Sequence, residues 1–136
     1  LELVESDLLK KESWNRATKD VHTVLHVASP FPSQSPTNPD DVVKPALEGT
    51  MNVMQAAFKN KVKRFVLTSS TVTLVGNSRV KDFTEEDWPD ENQVTHPYAK
   101  SKLLAEKAAW NFVEQKTLNN EECFDLVVLN PSFILG

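Results

Sequence analysis

The chain has 136 residues, 40% of them hydrophobic and 25% charged, with a formal net charge of −4. That length is one domain or part of one, with a composition that supports a folded core. The acidic balance leaves no basic footprint for nucleic acid, and no apolar run is long enough to span a bilayer. Leu1 to Glu5 alternates apolar and acidic residues, which predicts a short strand. Ser6-Asp7-Leu8 comes next, and Asp7 is placed to cap a helix from residue 9 to about residue 19, with Leu9 and Trp14 toward the core. Val21 to Ala28, rich in Val and Leu, predicts a second strand, in which His26 reads as a satisfied core histidine.

Residues 29–41 contain Pro30, Pro32, Pro36 and Pro39, so they predict a loop, with Asp40 or Asp41 capping the next helix. That helix is expected over residues 41–60. Val43, Leu47, Met54 and Phe58 recur there at helical spacing and should face the core. Pro45 is tolerated because it falls within the first turn or so. Gly49 inside a helix costs about 1 kcal/mol relative to Ala, which points to close approach by the sheet or another helix.

Phe65 to Ser70 is an apolar run with a basic start and a hydroxyl cluster at its end, which predicts a buried strand. Residues 71–97 read as a loop that carries Gly76-Asn77-Ser78 and an acidic, solvated run from Asp82 to Asp90. Pro97 suits a helix start. That helix should reach about Lys116, with Leu104, Ala108 and Phe112 on one ridge and Ala105, Ala109 and Val113 on the next. Phe124 to Leu129 is a near-continuous apolar run of the kind parallel sheets bury on both faces. Cys123 just before it is the single cysteine; it reads as a buried or half-buried thiol and fits a reducing, cytoplasmic compartment. The three histidines show no metal spacing, so no metal site is expected. Strands alternating with helices give an α/β fold with a doubly wound parallel sheet.

The stretch that carries chemistry is Tyr98-Ala99-Lys100-Ser101-Lys102. Four residues apart on a helix, Tyr98 and Lys102 share one face, one turn apart. A phenol with an unperturbed pKa near ~10 becomes a usable proton donor when an ammonium beside it favours the phenolate. In open parallel sheets ligands bind beyond the carboxyl ends of the strands, where Thr68, Ser69 and Ser70 fall.

With these residues in place, the sequence resembles the extended short-chain dehydrogenase/reductases, within them the dihydroflavonol reductase and cinnamoyl-CoA reductase group. The resemblance rests on Val24-Leu25-His26-Val27-Ala28-Ser29-Pro30, on Val43 to Val53, on Thr68-Ser69-Ser70, on Tyr98 to Lys102, and on Asn130-Pro131-Ser132-Phe133-Ile134-Leu135-Gly136. It implies a Rossmann-type sheet, an NADP cofactor (NAD being possible) and a small-molecule carbonyl substrate. The nicotinamide gives hydride to the carbonyl carbon and Tyr98 a proton to its oxygen. Lys102 holds the nicotinamide ribose and lowers the Tyr98 pKa, and Ser70 hydrogen-bonds the substrate oxygen. Ser70 is preferred to Ser69 because it precedes the Thr71-Val72 turn, while Ser69 points away by strand alternation.

By the same resemblance Asp7 and Leu8 touch the adenine. Val27, Ala28, Ser29 and Pro30 line the cofactor cleft beside Thr68 and Ser69. Asn130, Pro131 and Ser132 lie against the nicotinamide. Asn52 holds structure or water near the site, or is simply a packing amide. The loop with Glu86 and Trp88 packs over the site, and the Tyr98 helix pairs in a homodimer. Two other functions share this pattern: a sugar-nucleotide epimerase, dehydratase or hydroxysteroid dehydrogenase, and a nucleotide-binding regulator without catalysis. Gly49, Gly76 and Gly136 are the only glycines, and none forms a phosphate loop. The chain therefore reads as an internal fragment, inactive alone, with a glycine-rich strand–turn–helix expected about 50 residues before Leu1. A substrate-binding part is expected after Gly136.

Overall fold

The computed structural model describes residues 1–31, 36–76 and 82–134. Its elements are α1 (Ser13–Ala17), β1 (Thr23–His26), α2 (Asp40–Lys59), β2 (Arg64–Thr68), α3 (Val72–Val75), α4 (Pro97–Leu118) and β3 (Asp125–Leu129). The strands form one parallel sheet in the order β1-β2-β3. Leu25 stands beside Val66, and Val66 beside Val127. This is the expected Rossmann-type α/β arrangement. Of the residues singled out in the sequence, Pro32, Asn77, Ser78, Leu135 and Gly136 lie outside the described residues.

The core forms on one face of the sheet. Phe65 and Leu67 of β2 meet Val53, Met54 and Ala57 of α2, Ala109 of α4, and Phe124. Phe65 and Phe124 stack at 5.3 Å between ring centroids, and Phe112 stacks on Phe124 from α4 at 6.1 Å. On the other face Leu25 is 68% and Val27 71% exposed, and Val127 and Leu129 are exposed beside them. Among the described residues, helices cover only the first face. Strands read as apolar throughout therefore alternate in burial: β3 runs exposed, half-buried, exposed, half-buried, exposed.

Several expectations are corrected. Residues 1–5 form no strand; they pair with no strand among the described residues, and Leu1 and Leu3 are exposed. The helix expected over 9–19 shrinks to α1, because local side-chain bonds hold turns in its place. Ser13 Oγ donates to the Lys10 carbonyl at 2.6 Å, and Trp14 Nε1 to the Asp7 carbonyl at 2.9 Å. Leu9 is exposed, while Leu8 and Trp14 pack against the core. Neither Asp40 nor Asp41 caps α2. The N-cap position is Pro39, Asn38 Oδ1 just before it accepts from the Asp40 N–H at 3.1 Å, and the two aspartates sit in the first turn, where the helix dipole favours them.

The buried face of α2 is one residue out of phase with the predicted one. Val42, Ala46, Gly49, Thr50, Val53, Met54, Ala56 and Ala57 are buried, while Val43, Leu47 and Phe58 are half-buried. Small residues on that face let α2 lie close against α4. Pro45 is the sixth residue of α2 and leaves the Asp41 carbonyl without its helical donor; Asp41 is exposed, so water can serve it. The segment 71–97 is not all loop: it opens with α3, which ends at Gly76 with φ +55°. A Cβ at Gly76 would stand 2.5 Å from Pro89 Cβ.

Candidate functional site

The site assembles where the carboxyl ends of the strands meet the first turns of α4. Pro97 occupies the first helical position, where its missing N–H removes no helical bond. Tyr98, Lys102 and Glu106 then come at four-residue steps on one face. Tyr98 is half-buried, and the edge of its ring meets the exposed Phe31 at 5.2 Å between centroids. The Lys102 ammonium lies 6.0 Å from the Tyr98 ring centre and donates to the Thr68 carbonyl at 3.0 Å. Lys102 is only 7% exposed. Burial lowers its pKa below the usual lysine value, and the Glu106 carboxylate partly opposes that fall.

Ser69 and Ser70 are both buried, and Ser69, expected to point away, lines the cavity beside Lys102 because the strand ends at Thr68 and its alternation no longer sets the next side chains. The Ser70 Oγ accepts from the Val72 N–H at 3.4 Å, which folds the strand end into α3. The Ser70 carbonyl accepts from Thr73 Oγ1 at 2.8 Å and Asn130 Nδ2 at 3.3 Å. Both donors also reach Glu106 Oε2, Thr73 at 2.8 Å and Asn130 at 3.0 Å. Asn130 is thus half-buried in a network, Pro131 accepts the Thr71 N–H through its carbonyl at 3.1 Å, and Ser132 is exposed.

The structure gathers Ala28, Ser29, Thr68, Ser69 and Lys102 around one small cavity of about 10 Å³, with Thr50, Leu67, Ala105 and Glu106 completing its wall. Among the described residues the buried Ser69 Oγ has no hydrogen-bond partner. That orphaned hydroxyl and the Lys102 ammonium both suit the hydroxyls of a bound ribose, so the donor set fits a nicotinamide nucleotide. Val27 stands exposed just outside the cavity, and Pro30 is half-buried. A second cleft of about 820 Å³ opens beside β3, lined by Trp88, Trp110, Glu106, Asn130 and the apolar residues of β3.

Other predicted residues lie apart. Asp7 Oδ1 accepts from the Leu9 N–H at 2.9 Å, so it closes a turn before α1 rather than capping it. Leu8 is held against α2: Asn52 Nδ2 donates to its carbonyl at 2.8 Å, and a Cβ at Gly49 would meet its Cβ at 2.9 Å. Asn52 is therefore a strap for Leu8. The loop with Glu86 and Trp88 packs along the flank of α4, with the Lys107 ammonium 5.9 Å from the Trp88 ring. Cys123 is half-buried, and burial raises its thiol pKa. His26 is buried with its Nε2 3.4 Å from Thr50 Oγ1; burial, then the Lys102 charge, lowers its pKa to about 4. Among the described residues no set of His, Cys, Asp or Glu side chains is placed to hold a metal ion, and no helix is long and apolar enough to cross a membrane. Sequence reasoning missed Glu106, Thr73 and Thr50. The one signal available was Glu106 standing four residues beyond Lys102, on the Tyr98 face.

Comparison with known proteins identifies the family. The tetraketide alpha-pyrone reductase 1 of Arabidopsis thaliana is 37% identical over all of this chain and 42% of its own length. The dihydroflavonol 4-reductase of the same plant is 35% identical over all of this chain and 36% of its own length. The chain thus spans about two-fifths of the length of the curated relatives it matches. Among solved structures, RMD from Pseudomonas aeruginosa complexed with NADPH superposes with a TM-score of 0.71 at 25% identity, over 94% of this chain and 42% of that one. The sequence pattern of the 3-beta hydroxysteroid dehydrogenase/isomerase family matches residues 1–136. The chain belongs to that family, among the extended short-chain dehydrogenase/reductases, and is similar to their dihydroflavonol reductase-like branch.

Proposed function

We propose that this chain is part of an NADP-dependent reductase that converts a small-molecule ketone or aldehyde to an alcohol. The observation that carries the reading is the placement of Tyr98 and Lys102 on one face of α4, with the buried ammonium 6.0 Å from the ring and hydrogen-bonded to the strand end that precedes Ser70. A nicotinamide held there would supply the hydride that the carbonyl carbon receives. Tyr98 delivers the proton to the carbonyl oxygen, and the Lys102 charge stabilises the negative charge that develops on Tyr98 as the proton leaves. Ser70 donates to the substrate oxygen and orients it. Lys102 and the Ser69 hydroxyl hold the ribose. The reductases among the relatives support carbonyl reduction, and the NADPH complex of RMD supports the cofactor. A cytoplasmic homodimer of the full-length protein belongs to the same reading.

The test is Tyr98→Phe in the full-length protein. It keeps the ring and removes the proton. Turnover of a carbonyl panel should fall by at least the ~10² typical of general acid–base catalysis, while NADPH still quenches intrinsic fluorescence on binding. Unchanged turnover would sink the mechanism.

A further inference from the structure

Glu106 is a carboxylate only 3% exposed, buried where a neutral residue would avoid the cost of desolvating a charge. Two donors converge on its Oε2: the hydroxyl of the fully buried Thr73 and the amide of Asn130. The Ser70 carbonyl stands within the same reach, 2.8 Å from Thr73 Oγ1, which shares its one proton between the two acceptors, and 3.3 Å from the Asn130 amide. Asn130 also donates to Thr73 Oγ1 at 2.9 Å, so the Thr73 hydroxyl proton is left for the two acceptors it faces, Glu106 Oε2 and the Ser70 carbonyl. Four separate pieces of chain meet here: the end of β2, α3, α4 and the end of β3. Glu106 also walls both cavities, the small one beside Lys102 and the large cleft beside β3.

We propose that Glu106 is a positioning residue for reduction: through Thr73 and Asn130 it fixes Ser70 against α4, and one turn along the helix its charge faces the Lys102 ammonium. This rests on the reading of Ser70, Tyr98 and Lys102 as the reductive site. The charge has a defined setting. Lys102 faces Tyr98 and Glu106 on its own helix and His26 from β1; β2 offers the neutral Thr68 carbonyl and α2 the neutral Thr50. Among the described residues Glu106 is the carboxylate whose charge opposes the fall in the Lys102 pKa that burial causes. The clamp and the charge are separable effects. Loss of the clamp moves Ser70; loss of the charge lowers the pH at which Lys102 gives up its proton.

The experiment uses the full-length protein with NADPH and a reducible carbonyl, and measures kcat across pH for Glu106→Gln and Thr73→Val. Glu106→Gln preserves size and removes the charge. It should lower kcat tenfold or more and move the alkaline limb of the pH profile to lower pH, because a neutral neighbour no longer opposes deprotonation of Lys102. Thr73→Val preserves shape and charge, so it should lower kcat and leave the alkaline limb in place. A Glu106→Gln enzyme that loses thermal stability but keeps kcat and the limb overturns the proposal, since the carboxylate would then only support the core. If Glu106→Gln does not fold, Thr73→Val decides, and wild-type kcat there overturns the clamp. Tyr98→Phe, run alongside, separates the two levels: its full activity would sink the site itself, whereas an inactive Tyr98→Phe beside a normal Glu106→Gln would sink Glu106 alone.

Discussion

The two ends of the sheet treat charge in opposite ways. At the amino ends of the strands, Lys63 pairs with Glu122 at 2.9 Å and Arg64 with Asp125 at 3.2 Å, with all four side chains more than half exposed. Lys63 holds Glu122 below the usual carboxylate range, first by the hydrogen bond and then by its charge. Water and salt screen such pairs, so each contributes little. At the carboxyl ends, Lys102 and Glu106 are buried among neutral hydroxyls, an amide and carbonyls. There each charge is held by a few fixed partners, and none can be lost without leaving another polar group stranded. The amino end tolerates change because its interactions are numerous and weak. The carboxyl end specifies one arrangement.

Substitutions that exchange these behaviours should break the contrast. The largest effect is expected from Lys102→Ala. It removes the buried ammonium, so kcat should fall by ~10² or more, and NADPH affinity, read by fluorescence titration, should fall with it. Lys63→Ala at the other end should leave both unchanged. The next effect is a pH dependence set by His26, which holds its proton only below about 4 in the fold against 6.5 otherwise. The unfolded chain therefore binds a proton that the folded chain excludes between those values. Stability should be constant in this respect above pH 6.5 and should fall as pH drops toward 4, by up to about 3 kcal/mol. Urea midpoints across that window should flatten in His26→Gln.

Smaller effects sharpen the picture of the amino end. Asp20, Lys61 and Asn120 all have positive φ, each just after a helix and before a strand. Lys61, at φ 56°, has no short polar side chain to ease that conformation. Lys61→Gly should raise stability by up to about 1 kcal/mol, after subtracting glycine's greater freedom in the unfolded chain. The smallest effect belongs to the Arg64–Asp125 pair. A double-mutant cycle should give a coupling below about 1 kcal/mol that vanishes at molar salt.

The sequence made legible what depends on near neighbours. The long helices α2 and α4, the three strands, the loop rich in proline and the Tyr98–Lys102 pair are all encoded in spacing within a few residues. The phase of α2 was not, because its buried face is chosen by the fit to α4, and Val43 and Leu47 were as apolar as the residues that won. The alternation of β1 and β3 was hidden because a run of apolar side chains does not say which face is covered. Glu106 was hidden for a related reason. Its partners Thr73 and Asn130 are 33 and 24 residues away in the chain, and only folding brings them to one oxygen. The resemblance implies that Leu8 and Asp7 touch the adenine. The structure adds that Leu8 is gripped by α2, a contact 44 residues distant at Asn52.

That grip couples three positions in evolution. Gly49 leaves room for Leu8 alone: a methyl group there would fall 2.9 Å from Leu8 Cβ and 3.0 Å from Cδ2. The bond from Asn52 to the Leu8 carbonyl stops the segment from backing away. Neither residue can enlarge by itself. Family members with a side chain at position 49 are expected to carry a smaller residue at position 8, or to have given up the amide at position 52, and the three positions should drift as one unit.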